Sequence, residues 1–388
     1  MLLEKGMESI RPDMQWLGLQ RFPIWEASGA NRKILIDTLS RTRGLFGDTD
    51  RKGGWTYEYM QVGDKCMDKA WSQAKSDREK ESLYNSTAAY YNVARFPIMD
   101  TPLKKEVYSR QKLAIKESAE HAGINFWPVD IPFENTTIKG YYYSPRLENE
   151  IIRPESILLT GGAELYKEDL RYIPYKIVSA GVTCLAIDMP GTGDSELKLG
   201  RDTEYAYAEA VKYLASRGDI DPNRIGIMGI GFGGYWALRT AAKCPEIKAC
   251  VNCGSPVQVT FTRENLGNLP EYLKMVLAFI QGNDPYDNNA VERSLDSLTD
   301  YSILKQTDLR SVNGPVLSIN GSDDPYVPID DLFFIHEKGG IGQDEWVYRE
   351  DGHCAPRSFT EWVPRAVDWL ANKLGGPERI RRPDLAKL

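Results

Sequence analysis

Three histidines serve a chain of 388 residues, so an imidazole-dependent reaction has few places to occur. His121 and His336 fall inside helical patterning. His353 alone follows an apolar run and a glycine, in Trp346-Val-Tyr-Arg-Glu-Asp-Gly-His353-Cys354. Upstream, Pro315-Val-Leu-Ser-Ile-Asn-Gly-Ser-Asp323-Asp324 sets a carboxylate just beyond another apolar run. A carboxylate bonded to a histidine fixes the ring's tautomer and stabilises the imidazolium formed when it takes a proton. Such a pair is a general base for carbonyl chemistry.

The stretch Arg224–Leu238, with Gly229-Ile-Gly231-Phe232-Gly233-Gly234 at its centre, reads as strand, sharp turn and helix. This is the form of the nucleophile elbow G-x-S-x-G, with Gly231 where the serine stands. Gly229, Gly231 and Gly234 also fit the dinucleotide pattern G-x-G-x-x-G. Against that reading, this strand is third in its series, and no acidic residue closes the next one near Cys250–Ser255. Gly161-Gly162-Ala163-Glu164 follows an earlier apolar run, where paired glycines let backbone N–H groups approach a developing oxyanion. Cys253 and Ser255 end the strand after the elbow helix and Cys354 follows His353, so each is a candidate substitute nucleophile; Cys253 and Cys354 read more simply as core or wall residues.

The elements that must position these groups follow from the hydrophobic period. Residues 1–124 carry helical spacing, including an aromatic segment, Tyr84–Phe96, that reads as helix packing or as a pocket wall at Tyr90, Tyr91 or Phe96. From 125 the period shortens. Asn125–Phe133 and Thr137–Ser144 form a hairpin, and strands then alternate with helices from Ser156 to Leu374. Lys167–Ala180 is expected as one helix. The predicted fold is α/β, a mostly parallel sheet covered on both faces. The core spans 125–256 and 313–374, with a helical lid insertion at 257–312 and a tail at 375–388. In such sheets ligands sit beyond the strand carboxyl ends, where Gly162, Gly231, Asp324 and His353 all fall.

Composition excludes several classes. Lys and Arg total 48 against 55 Asp and Glu, a net charge of −7 that lacks the basic surface of a nucleic-acid binder. The N-terminus carries charge where a leader needs an apolar core, and no long apolar run suits a membrane. Six scattered cysteines, with Cys250 and Cys253 unaccompanied by a second ligand pair, read as reduced thiols. The expectation is a cytoplasmic enzyme with a small-molecule substrate, no metal and no cofactor.

This ordered set of motifs resembles the α/β-hydrolase superfamily. The helical N-terminal segment and Gly161-Gly-Ala-Glu164-Leu-Tyr-Lys167-Glu168 resemble one subgroup within it. That subgroup holds the 2,6-dihydroxypseudooxynicotine hydrolase, the fungal heptaketide-shortening hydrolases and the FrsA-like proteins. The resemblance covers roughly residues 80–374. It implies His353 as base, Asp324 as its orienter, and Gly162, Ala163 and Phe232 as the oxyanion region. It implies a homodimer and hydrolysis of carbon–carbon bonds beside ketones. FrsA-like members resemble this chain in lacking the usual serine.

Glu164, Tyr166, Tyr235, Trp236 and Cys253 are candidate substrate contacts, the aromatics suiting a flat, aromatic or polyketide-like carbonyl compound. Tyr235 and Trp236 read equally as helix packing. Three functional readings stay open. The chain is an enzyme using His353 and Asp324 without acylation, in hydrolysis, decarboxylation, elimination or cyclisation. Alternatively it is a serine hydrolase with its nucleophile substituted, or a non-catalytic binder.

Overall fold

A computed structural model describes residues 10–375 apart from residue 48 and the stretches 146–152 and 340–342. The tail expected at 375–388 therefore lies, past Gly375, outside the described residues. The chain forms two compact units, Met1–Phe126 and Trp127–Leu388. No helix among the described residues is long and apolar enough to cross a membrane.

The first unit is helical: α1 (Gln15–Gln20), α2 (Phe22–Ala27), α3 (Arg32–Leu39), α4 (Trp55–Ser72), α5 (Asp77–Arg95) and α6 (Pro102–His121). Side-chain caps start α5 and α6, whereas α4 follows Gly54 without one. Ser76 accepts from the Glu79 N–H at α5, and Thr101 accepts from the Lys104 N–H at α6, which satisfies otherwise orphaned donors. The aromatics of α5 are core. Tyr90 and Tyr91 are 1% exposed and Phe96 2%. The Tyr91 hydroxyl donates to Asp64 at 2.7 Å, and the Tyr90 hydroxyl accepts from the Asn31 N–H at 2.9 Å. The pocket-wall reading of these rings is corrected to packing, because the bundle encloses them.

The second unit is built on an eight-stranded sheet in the order β1-β2-β4-β3-β5-β6-β7-β8. The strands are β1 (Asn125–Phe133), β2 (Thr136–Ser144), β3 (Ser156–Thr160), β4 (Thr183–Ile187), β5 (Ile225–Ile230), β6 (Ile247–Cys253), β7 (Val316–Gly321) and β8 (Gln343–Tyr348). β2 runs antiparallel to β4, and the six strands from β4 to β8 are mutually parallel. β3, β4, β5 and β7 are buried throughout, which is why they read as unbroken apolar runs. The connecting helices are α7 (Tyr172–Ser179), α8 (Glu204–Ser216) and α9 (Phe232–Lys243). The insertion carries α10 (Arg263–Asn268), α11 (Glu271–Ile280), α12 (Asn288–Leu298) and α13 (Ile303–Gln306), and α14 (Asp330–Lys338) and α15 (Phe359–Lys373) complete the unit.

Chain order reverses direction at β3. β4 lies on one side of it and β5 on the other, which makes a crevice at their carboxyl ends. Thr160 pairs with Gly229, so the loops that follow β3 and β5 leave the sheet level with each other.

α7 is shorter than expected. The Tyr166 N–H donates to Asp169 at 2.8 Å within the loop, and the Lys167 N–H donates to Asp188 at 2.9 Å on the loop after β4, so side-chain carboxylates fix this stretch ahead of the helix. Lys167 Nζ, 1% exposed, reaches Asp188 at 2.7 Å, Glu168 at 2.9 Å and Asp194 at 3.1 Å. Asp188 also accepts the Asp194 N–H at 3.0 Å. One ammonium thus clamps the loop after β3 to the loop after β4. Burial pushes Asp188 up while Lys167 pulls it down. Replacing Lys167 by Met strands buried carboxylates, and the expected loss is about 3–5 kcal/mol, read from urea titration of the full chain.

Candidate active site

Gly231 ends β5 and opens α9 at φ +58°, ψ −128°. This backbone is strained for any residue with a side chain and free for glycine. The turn is tight because the helix meets the neighbouring loop: a Cβ on Gly233 would lie 2.4 Å from the Gly161 carbonyl oxygen. The Gly231 N–H is bonded to the Cys253 carbonyl at 2.7 Å. The turn from β5 into α9 is therefore held by its neighbours on both sides. A Cβ built on Gly231 would meet His353 Nε2 at 3.4 Å and Gly162 Cα at 3.7 Å, with no other atom beyond its chain neighbours within 4 Å.

The other face of His353 belongs to Asp324. Nδ1 stands 2.7 Å from Asp324 Oδ2. That oxygen also accepts from Asn320 Nδ2 at 2.9 Å, while Oδ1 accepts the Tyr326 and Val327 N–H groups at 2.8 and 3.0 Å. All the other partners of Asp324 are donors, so it acts as the acceptor carboxylate and Nδ1 carries the proton. Nε2 is then the lone-pair nitrogen, and it faces position 231. Asp324 is fully buried and His353 18% exposed.

Three further groups hold the loops. The Asn320 Oδ1 accepts the Cys354 N–H at 3.0 Å, so one amide ties the acid to the histidine loop. Asp351 accepts from the Gly352, Arg357 and Ser358 N–H groups at 2.8, 3.2 and 3.0 Å. Asp331 accepts four successive N–H groups, Val257 to Thr260, at 2.6–3.1 Å, and the Thr260 hydroxyl at 2.6 Å, at the root of the insertion. Residue-type patterns pointed to none of the three. An amide in the otherwise apolar run of β7 was the available signal for Asn320, since a buried polar side chain needs partners.

Burial works against a charged His353, yet the Asp324 carboxylate and then Cys354 outweigh it and hold the imidazole above its usual range. Cys354 has φ +63°, and its Sγ lies 3.4 Å from the Cys253 carbonyl oxygen, to which the thiol donates. Burial raises this thiol; the Cys253 contact and the His353 charge draw it down further than burial lifts it. The donated bond requires the neutral thiol.

The expected residues divide. His353, Asp324, Gly231, Gly162 and the first turn of α9 meet at the carboxyl ends of β3, β5, β7 and β8. A Cβ on Gly162 would lie 3.2 Å from the Phe232 nitrogen, so Gly162 borders that N–H. Tyr235 and Trp236 are corrected to packing. Both are 0% exposed, and they cluster with Phe232, Phe261 and Tyr301 at centroid distances of 4.9–6.2 Å. The Tyr235 hydroxyl donates to the Tyr301 carbonyl at 2.7 Å, which binds α9 to the insertion. Cys253 at 0% and Tyr166 at 1% are likewise enclosed, and cannot touch a ligand without rearrangement. Glu164 is also buried. All six cysteines are free thiols, and no metal-ligating cluster occurs among the described residues.

The family described as Esterase FrsA-like matches residues 15–375. Esterase FrsA of Vibrio cholerae is 25% identical over 375 residues, spanning 93% of this chain and 86% of the relative. That of Yersinia pestis is 22% identical over 325 residues, spanning 81% and 77%. Among solved structures, the 2,6-dihydroxy-pseudo-oxynicotine hydrolase superposes with a TM-score of 0.77 at 17% identity, over 93% of this chain and 97% of that one. AbyA5 superposes at 0.72 with 21% identity, over 88% and 94%. At these identities the structures speak for the α/β-hydrolase fold.

An imidazole that acts as a base in its neutral form makes turnover rise with pH, here along a limb lying above the ordinary histidine value of about 6.5. Asp324→Asn removes the largest raising influence; the limb should move to lower pH and the rate fall by about 10²–10⁴-fold. Linkage gives a second readout. A raised histidine stabilises the fold fully below about 6.5 and loses that contribution as pH rises through the folded value. Urea titrations should show the gap between parent and variant widest in mild acid, narrowing towards alkali.

Proposed function

The chain belongs to the FrsA-like esterase family and is a hydrolase on an α/β-hydrolase scaffold; we propose that it cleaves a carbonyl substrate by general-base chemistry at His353, with no acyl-enzyme at position 231. One observation carries this reading: the acceptor nitrogen of an Asp324-oriented imidazole faces an elbow that has no side chain. Water held at that position would give its proton to Nε2 and attack the carbonyl carbon. The Phe232 N–H and the loop through Gly162 and Ala163 would bind the oxyanion. His353 would then return the proton to the leaving oxygen or carbon. The substrate class is an ester or a ketone, and the aromatic or polyketide-like kind is favoured by similarity to a hydrolase of 2,6-dihydroxy-pseudo-oxynicotine.

A non-catalytic binder has no use for a fully satisfied acid behind a base. Elimination or cyclisation would need the same base and less of the oxyanion loop, and the loop's tight seat against the elbow favours attack on a carbonyl. A substituted serine enzyme differs from this reading by experiment. His353→Ala should lower kcat on aryl esters by about 10²–10⁴-fold. Gly231→Ser should restore a nucleophile within reach of Nε2 and produce a pre-steady-state burst of leaving group that the parent lacks. The φ of +58° should make the serine variant less stable by about 1–3 kcal/mol. Hydrolysis by the serine variant alone, with an inert parent, would overturn the proposal.

A further inference from the structure

The elbow is a cradle for a group of fixed size. In a serine hydrolase it holds a methylene and a hydroxyl against the imidazole. Here the same turn is kept, with its backbone at φ +58° and its N–H tied to Cys253, and the one-carbon group is gone. The ideal Cβ position has ordinary van der Waals clearance to His353 Nε2, at 3.4 Å, and to Gly162 Cα, at 3.7 Å. The serine side chain, capped with hydrogen, is methanol.

We infer that Gly231, His353 Nε2 and Gly162 form an acceptor subsite for a small external nucleophile, a primary alcohol of one or two carbons or water, so that the chain is an acyltransferase to small alcohols as well as a hydrolase. This rests on the general-base reading above and names the second substrate of that site. The acceptor oxygen loses its proton to Nε2 as its bond to the carbonyl carbon forms. The carbon–leaving-group bond then breaks, and the proton passes from Nε2 to the leaving oxygen. An ester and an alcohol give a new ester and the displaced alcohol, with no net oxidation. Size sets the selectivity: the loop at Gly162 closes one side of the subsite, and a branched alcohol has to displace it. One methyl too many in a fitted pocket is worth about 10- to 200-fold in discrimination.

The test uses the full chain with para-nitrophenyl and phenyl esters of one acid, in buffer containing methanol, ethanol or propan-2-ol. Free acid and alkyl ester are quantified. Methyl ester should form with saturating dependence on methanol, at a methyl-ester-to-acid ratio about tenfold or more above the uncatalysed ratio. Propan-2-ol should transfer about tenfold less well. The ratio should change with the leaving group, because each attack is direct. Gly231→Ser, which passes through one acyl-enzyme, should give the same ratio for both leaving groups. Gly231→Ala puts a methyl in the subsite and should abolish the preference for methanol. Should alanine fail to fold, the saturation and size series on the parent decide alone.

Hydrolysis by the parent with an uncatalysed, linear and size-blind methanol ratio overturns the acceptor subsite and leaves the general-base reading standing. A parent ratio independent of leaving group means an acyl-enzyme elsewhere, and a parent inert with every acceptor means no base chemistry. Either of these overturns both.

Discussion

The hydrogen bond between His353 Nδ1 and Asp324 Oδ2, 2.7 Å long, is the contact on which the rest of the site depends. Its quality comes from everything else bonded to that carboxylate. Two backbone N–H groups and the Asn320 amide saturate its remaining lone pairs, so the acid cannot rotate away or share its bond. An acid held as an acceptor on every side leaves the imidazole one tautomer. Asn320 then repeats the constraint from the other end by accepting the Cys354 N–H. The base is aimed by a ring of ordinary hydrogen bonds, most of them to backbone.

Position 231 receives that aim. The elbow survives without its hydroxyl because its shape is set by neighbours: the Cys253 carbonyl on the Gly231 N–H and the glycine contact between Gly233 and Gly161. Glycine also removes the strain that a side chain would carry at positive φ. A serine enzyme accepts that strain to present a nucleophile. This chain has a desolvated, fully bonded acid behind an imidazole, and a glycine where that imidazole points.

Strand positions were largely legible in the sequence because buried parallel strands are unbroken apolar runs and the loops beyond them carry glycine and charge. Gly231 and Asp324 each follow such a run, whereas His353 follows β8, a half-exposed edge strand that opens Gln343-Asp-Glu. What escaped was set by contacts distant in sequence. Lys167–Arg171 has helical composition, yet the Lys167 N–H and ammonium are both held by Asp188 of another loop. Tyr235 and Trp236 have the chemistry of a substrate wall and serve as packing, since the insertion supplies Phe261 and Tyr301 to enclose them. Asn320 and Asp331 looked like incidental polar residues because their partners are backbone groups, which a sequence does not mark.

These misreadings share a cause that bears on function. Of the two readings open for the aromatics of α9, substrate contact and helix packing, the structure has the second, and they tether the insertion to the elbow helix. Tyr272 on α11 continues the theme: its hydroxyl bonds that of Tyr326 at 3.0 Å, and the Tyr326 ring stands edge-on to His353 at 5.4 Å. Asp331 pins the insertion's root seven positions after Asp324. The insertion therefore touches the acid loop and the elbow helix, and it reaches His353 only through the Tyr326 ring.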